Sequence, residues 1–344
     1  MKPVQLAVIG AGNVGRRHVH AIHESAHTEL CAVVEPSASS LETVELNGAP
    51  AFDTVEQLFQ SAQPEGIVIA TPTVHHLAPA LETLNAGCHL LIEKPIAADL
   101  AEAQQIIDLQ EAGDRCVLVG HHRRYYETVQ RTKNIIANGE IGQLLAVTGQ
   151  WCLRKHDEYY EPDWRKQWPA GPILTNTIHD IDLIRFICGD ITSVYAESSH
   201  QVQGYEKEDV TSIVMRFEND ALGTFVLSDR APSPWAWEYA TDENPAIPGT
   251  GENCFRFMGS QGALEFPNLV KWTSSKQDGD WFAPMQSQTL NTEYHNAFQA
   301  QLTHFASVIR GKEAPLISAE DASKSLAVTE AILESVRQGK RITL

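Results

Sequence analysis

The residues able to do chemistry stand at three kinds of place along the chain. The first is Gly10-Ala11-Gly12-Asn13-Val14-Gly15, a G-x-G-x-x-G run that follows the apolar stretch Val4–Ile9 without a break. Each glycine has a physical use there. Gly10 permits a tight turn out of a strand, Gly12 removes a side chain where a diphosphate must approach the backbone, and Gly15 lets the next helix pack closely. A helical pattern from Arg16 to Ser25 would aim free N–H groups and the positive end of its dipole at an anion. The second place is Glu35, twenty positions beyond Gly15 and at the end of a strand pattern, Leu30–Val34. Its carboxylate can accept from both hydroxyls of an adenosine ribose and would repel a 2′-phosphate. The run from Pro36 to Pro50 contains no Lys or Arg to neutralise one, so NAD is expected over NADP.

The third place is a set of segments that each come directly after a buried strand: Thr71-Pro72-Thr73-Val74-His75-His76, Glu93-Lys94-Pro95 and His121-His122-Arg123-Arg124. Most lysines of the chain read as solvated surface charges. Lys94 differs, because Pro95 restricts it to extended backbone just past a strand end.

The elements that must hold these residues can be read from pattern. Apolar strands at Val4–Ile9, Leu30–Val34, Gly66–Ala70, Cys88–Ile92 and Cys116–Gly120 alternate with helical runs. Those runs are Ser39–Leu46, Thr54–Phe59, His75–Ala86 (stopped by Gly87) and one from an Asp99 cap to Ala112. Strands apolar on both faces and separated by helices mean a doubly wound parallel sheet, which binds ligands beyond the carboxyl ends of its strands. The three segments and the glycine run would share that edge. Gly10 to Gly15, Glu35, Thr71, Pro72, His76, Glu93, Lys94 and His122 are therefore the expected cofactor-binding residues.

At Tyr125 the pattern changes. A helix, Tyr126–Ala137, and a long strand, Gln143–Trp151, lead into an aperiodic loop, Cys152–Gly171, with Tyr159, Tyr160, Trp164 and Trp168. Loops of that length tend to be functional, although one that only packs is equally compatible with the residues. A helix is expected over Gly171–Cys188, with Leu174, Ile178, Ile181 and Ile184 on one face and Thr175, His179 and Asp182 on another. Alternating strands come next at Val194–Ser198, Val210–Phe217, Leu222–Ser228, Phe255–Met258 and Ala263–Phe266, implying an antiparallel sheet. Between them the Trp- and Pro-rich run Arg230–Gly251 could line a site or bury at a contact. Helices at Tyr294–Arg310 and Ala319–Gln338 complete the chain.

Length and charge set limits. At 344 residues two domains are expected, 1–122 and 123–344. A net charge of −18 argues against nucleic acid and anionic membranes as partners. The six cysteines form no C-x-x-C pair and fit a reducing, cytoplasmic setting, and no signal or membrane-spanning pattern is present. With no C-x-x-C pair to complete a Cys/His ligand motif, no metal is expected.

Gly10 to Gly15, Ala70-Thr71-Pro72, Glu93-Lys94-Pro95, Val119-Gly120-His121-His122-Arg123-Arg124, Ile178-His179-Asp180-Ile181-Asp182 and Glu320-Asp321-Ala322 together resemble the glucose–fructose oxidoreductase/inositol dehydrogenase/rhizopine catabolism (Gfo/Idh/MocA) family, over nearly the whole chain. The resemblance implies an α/β protein with an N-terminal Rossmann domain and a C-terminal α+β domain. The open, mostly antiparallel sheet of the latter would bind a small-molecule substrate and build homodimers or homotetramers. It also implies NAD(P)-linked hydride transfer at a CH–OH group of a sugar, polyol or cyclic alcohol. Lys94 and His179 would be catalytic, with Glu93 placing Lys94 and His122 near the nicotinamide. Lys94, Arg123, Trp164, Arg165, Asn176 and His179 would meet the substrate. This chain departs from the family at Thr175, where an Asp often stands four residues before the histidine. Family relatives that are NAD-dependent glycoside hydrolases or non-catalytic regulators are the alternatives; regulators would be expected to lack Lys94 or His179.

Overall fold

The computed structural model describes residues 2–244, 246–276, 279–291 and 296–344. The chain folds as two compact units: one runs to Tyr125 and takes in a return segment ending at Leu326, and the other holds the intervening chain and Ala327–Leu344.

The first unit contains, in order, β1 (Val4–Ile9), α1 (Asn13–Glu24), β2 (Thr28–Val34), α2 (Ala38–Leu41), β3 (Ala51–Phe52), α3 (Val55–Ser61), β4 (Gly66–Ile69), α4 (Leu77–Asn85), β5 (His89–Ile92), α5 (Leu100–Glu111) and β6 (Val117–Val119). Its sheet has the order β3-β2-β1-β4-β5-β6, every pair parallel, which is the Rossmann order. Leu6, Val8, Val33, Val68, Leu91 and Leu118 are sealed in its core, as expected of a sheet covered on both faces. Thr54 and Asp99 cap α3 and α5 by accepting from the N–H groups of Gln57 and Glu102. Gly87, at φ +76°, ends α4 in the left-handed conformation.

Register is the property that matters for the site. Ile9 lies opposite both Val34 and Ile69, Ile69 opposite Ile92, and Ile92 opposite Val119. The next residue of each strand then donates its N–H sideways: Gly10 to Val34 (2.9 Å), Ala70 to Ile9 (2.8 Å), Glu93 to Ile69 (2.9 Å) and Gly120 to Ile92 (2.7 Å). Five strand ends are thereby level, and the segments leaving them emerge along one edge.

Two expectations needed revision here. The run Ser39–Leu46 is helical only as the short α2, capped by Ser37. The two-residue β3, too short to show a period, completes the sheet.

The second unit contributes α6 (Glu127–Ala137), β7 (Leu144–Cys152), α7 (Ile178–Cys188), β8 (Ile191–Ser199), β9 (Val210–Phe217), β10 (Leu222–Ser228), α8 (Trp237–Thr241), β11 (Phe255–Gly259), β12 (Gly262–Phe266), β13 (Val270–Ser274) and β14 (Met285–Thr289). Next in the chain come α9 (Ala297–Ile309), which belongs to the first unit, and α10 (Ala319–Gln338), which begins in the first and ends in the second; β15 (Ile342–Thr343) returns to the second sheet. Tyr294, expected to start α9, lies outside the described residues. Phe298, Leu302 and Phe305 of α9 join the core of the parallel sheet.

The second sheet has the order β14-β13-β12-β11-β7-β10-β9-β8-β15, antiparallel except for β10 with β7. Ile181, Ile184 and Ile187 of α7 and Val129 and Ile135 of α6 seal its core with Phe225, Phe255 and Phe257. Gly149 makes room for an aromatic ring, since a Cβ there would stand 2.5 Å from the Phe255 side chain. Trp237, from the run whose role the sequence left open, is fully buried and stacks on Phe266 at 5.7 Å between centroids.

The expected helix Gly171–Cys188 is really two: a π-helical turn, Ile173–Thr177, precedes α7. Thr177 Oγ1 donates five residues back to the Pro172 carbonyl at 3.1 Å. A π-turn holds one residue more than an α-turn, so Thr175 and His179 are not separated by a regular α-turn. Such turns are frequent at functional sites.

Candidate active site

In the first unit the glycine run behaves as its residue types require. Gly10 has φ +94°, and a Cβ there would stand 2.8 Å from the Ala70 carbonyl. A Cβ at Gly15 would stand 2.0 Å from the Gly10 carbonyl, so the α1 backbone seats directly on the turn. Nothing lies within 4 Å of a Cβ at Gly12, and no side chain caps the N-terminus of α1. Asn13 and Val14 are exposed beside it. A bare, uncapped helix start facing open space fits a diphosphate.

Glu35 is held at the strand end by its backbone surroundings. Its Oε2 accepts from Ala11 N at 2.8 Å and its Oε1 from Ser37 N at 2.9 Å. The carboxylate thus ties the glycine turn to β2 while keeping further lone pairs for a ligand hydroxyl. The run 36–50 lacks its own cations, but Arg16 of α1 reaches it, donating to Thr43 Oγ1 at 2.6 Å and also bonding Asn13.

Beyond β4, Thr71 and Pro72 stand at the same edge. His76 is buried, with Nδ1 2.9 Å from the Pro95 carbonyl and Nε2 3.0 Å from the Thr71 carbonyl. Burial pushes its ring below the ordinary histidine range, against the pull of those two carbonyls. Its place is that of a brace between the Thr71 and Lys94-Pro95 turns.

Glu93 is buried. Its Oε1 lies 2.7 Å from His18 Nε2 and its Oε2 accepts from Lys94 N at 3.2 Å. Burial alone would raise the carboxyl; the His18 hydrogen bond and the electrostatic influence of the neighbouring His18, His122 and Lys94 side chains outweigh it and hold the group below the usual carboxylate range. Lys94, the next residue, is half-buried. His122 and Arg123, just past β6, are buried, and the His122 ring stacks on Phe298 of α9 at 4.7 Å.

In the second unit, His179 is half-buried in the first turn of α7, directly after the π-turn. Thr175 donates its hydroxyl to Asn176 Oδ1 at 2.9 Å, and the same oxygen accepts from Lys155 Nζ at 2.9 Å. Trp164 is 54 % exposed, whereas Arg165 donates to the Tyr159 carbonyl at 2.7 Å and lies 4.1 Å over the Tyr159 ring.

Sequence reading passed over several charged residues here. Glu208 accepts from Ile173 N at 2.7 Å and so caps the π-turn. Lys207, with no exposed surface, sits 2.8 Å from both oxygens of Asp229, which also accepts from Tyr160 OH at 2.7 Å. The run Glu206-Lys207-Glu208-Asp209 looks like a solvated charge cluster; only its position directly before an apolar strand hints at burial.

Together, the Rossmann order, the glycine turn and the acidic strand end define a dinucleotide-binding α/β protein. The chain belongs to the Gfo/Idh/MocA oxidoreductases: residues 4–121 match that family's NAD-binding Rossmann fold and residues 129–265 its C-terminal domain. Its cofactor is NAD, and it is an oxidoreductase. It is 25% identical to the rhizopine catabolism protein MocA of Rhizobium meliloti, over 97% of this chain and 95% of that one. It is 23% identical to the myo-inositol 2-dehydrogenase of Thermotoga maritima, over 99% and 98%. A crystal structure of an oxidoreductase from Agrobacterium radiobacter, in complex with NAD+, L-tartaric acid and magnesium, superposes with a TM-score of 0.82 at 18% identity, covering 99% of this chain and 98% of that one. Among the described residues no group of His, Cys, Asp or Glu could hold a metal ion, and no helix is long and apolar enough to cross a membrane.

Proposed function

We propose that the protein oxidises a secondary alcohol of a polyol, sugar or related cyclic compound, or reduces the corresponding ketone, using NAD in preference to NADP. The observation that carries this reading is the level strand-end register, which sets Gly10, Glu35, Ala70, Glu93 and Gly120 along one edge and puts Lys94 next to a buried, ion-paired Glu93.

Gly10 to Gly15 would hold the diphosphate and Glu35 the adenosine ribose, with Thr71, Pro72, His76, Glu93, Lys94 and His122 completing the cofactor site. NAD supplies the acceptor for the hydride that leaves the carbinol carbon. In the oxidative direction the hydroxyl proton passes to His179, since imidazole titrates near neutrality. The Lys94 ammonium hydrogen-bonds the same oxygen and stabilises the negative charge that develops on it. Glu93 fixes Lys94 through its backbone N–H and its charge. Arg123, Trp164, Arg165 and Asn176 orient the substrate. In the reverse direction the proton returns from His179 to the carbonyl oxygen, so atoms and charge balance both ways. Assembly as a homodimer or homotetramer through the second sheet, in the cytoplasm, belongs to the same reading.

Steady-state kinetics on Lys94→Ala and His179→Ala test it. Each variant is expected to lose ~10²–10⁴-fold in kcat, with the Kd for NADH changed less than about threefold. Full turnover in Lys94→Ala would remove the mechanism.

A further inference from the structure

The second unit contains a half-buried ammonium that makes no ion pair among the described residues. Among the described residues no carboxylate lies within ion-pairing distance of Lys155, whose nitrogen has Asn176 Oδ1 at 2.9 Å and otherwise aromatic faces, Tyr159 at 4.3 Å and Trp151 at 5.5 Å. The acidic groups around it are committed elsewhere. Asp229 is taken by Lys207 and Tyr160, Glu238 accepts from Trp151 Nε1, and Glu208 is turned to the Ile173 N–H. A second cation shares the Tyr159 ring: the Arg165 guanidinium lies 4.1 Å from its centroid, and its buried Nε has no hydrogen-bond partner among the described residues.

Two cations on one aromatic ring, one with an unused donor, repel each other until an anion joins them. Desolvation is the larger cost, and burial pushes Lys155 down to about 8; Lys207 and Arg165 add to this while Asp229 and Glu238 oppose it. Both cations adjoin the residues proposed to handle substrate. Asn176, three positions before His179, is the hydrogen-bond acceptor of Lys155 itself.

We propose that Lys155 and Arg165 form an anion subsite, so that the substrate is a polyhydroxylated compound bearing a carboxylate or a phosphate ester, which Lys155 binds as its missing counter-charge. This rests on the dehydrogenase reading and narrows its substrate class. It also gives a reason for Thr175. An aspartate beside Asn176 would supply Lys155 with an internal counter-ion and close the subsite to an anionic ligand.

The test compares D-glucose and myo-inositol with D-glucuronate, D-gluconate and glucose 6-phosphate, on the full-length protein with NAD, in the wild type, Lys155→Met and Lys155→Arg. The wild type is expected to favour at least one anionic compound over the neutral ones by at least about 30-fold in kcat/KM. Lys155→Met should lower that ratio about 100-fold, consistent with loss of a charge-assisted hydrogen bond, and Lys155→Arg should restore part of it. Preference for the two carboxylates or for the phosphate identifies the group. Calorimetric titration of the same anions into the NADH complex at pH 8, in two buffers of different ionisation enthalpy, should show proton uptake that vanishes in Lys155→Met. Neutral compounds used as well as anionic ones, or an unchanged ratio in a Lys155→Met protein that still melts cooperatively, would overturn the subsite. Absence of NAD-linked turnover with every compound would instead count against the dehydrogenase reading. Anion binding with Lys155-dependent proton uptake would then still support the subsite, and its absence would overturn that too.

Discussion

A Cβ on Gly120 would stand 2.9 Å from the carboxyl carbon of Glu93. The side chain missing from one strand end is the space that the neighbouring strand's carboxylate fills. Gly120→Ala must therefore displace Glu93 from His18 and from the Lys94 N–H. A misplacement of about 1 Å near reacting groups can cost ~10²-fold. The variant is expected to lose turnover on that scale while its NADH affinity, read by fluorescence titration, moves far less. A kcat within twofold of wild type would mean that Glu93 does not position the lysine.

On the proposed reading Glu35 would set cofactor choice, and Arg16 makes the test sharp. With the carboxylate present a 2′-phosphate meets a fixed negative charge. In Glu35→Ser that repulsion is gone while Arg16 still reaches the 36–50 run. The ratio of kcat/KM for NADP to that for NAD should rise at least about tenfold, and a second change, Arg16→Ala, should cancel much of the gain. A wild type that prefers NADP tenfold would contradict the assignment.

Glu208 gives the fold a pH dependence of its own. Burial raises its carboxyl to about 7, with Asp229 adding and Lys207 and the Ile173 N–H opposing. A folded pKa above the unfolded one means that the native state holds the extra proton. The stability from this group is complete below about pH 4.5 and falls as pH rises towards 7. Glu208→Gln mimics the protonated form and should be more stable than wild type at pH 8 by about 3 kcal/mol, with little difference at pH 5. Urea unfolding at the two pH values reads this directly, and equal differences at both would refute it.

The Lys207–Asp229 pair has the opposite character. Asp229→Asn leaves the fully buried ammonium with only the more distant Asp209 carboxylate, at 3.6 Å, and should destabilise the protein by up to roughly 3–5 kcal/mol. Removing the cation as well, in Lys207→Met/Asp229→Asn, should recover a large part of that loss. A double variant no more stable than the single one would show that the cost lies in the lost Tyr160 hydrogen bond instead.

Much of the first unit was legible because parallel strands buried on both faces are written as unbroken apolar runs. Val4–Ile9, Gly66–Ile69 and His89–Ile92 announce themselves, and the residues just past each of them fall at the ligand edge. The parts that escaped lack that signal. Ala51–Phe52 is too short for a period, and Met285–Thr289 is exposed along its length. The π-turn escaped because Leu174, Ile178 and Ile181 satisfy an α-helical spacing equally well. Lys155 escaped for another reason: a single lysine past a strand carries no motif, and its meaning lies in which carboxylates around it are already taken.

The extra residue in the turn Ile173–Thr177 acts as a vernier. Each residue of an α-helix advances the chain by about 100° around the axis, so one more or one fewer there swings Thr175 and Asn176 to a new bearing while the imidazole of His179 stays anchored to α7. If His179 handles the proton as proposed, adjusting this one turn would retune substrate preference without touching that histidine or the sheet beneath it.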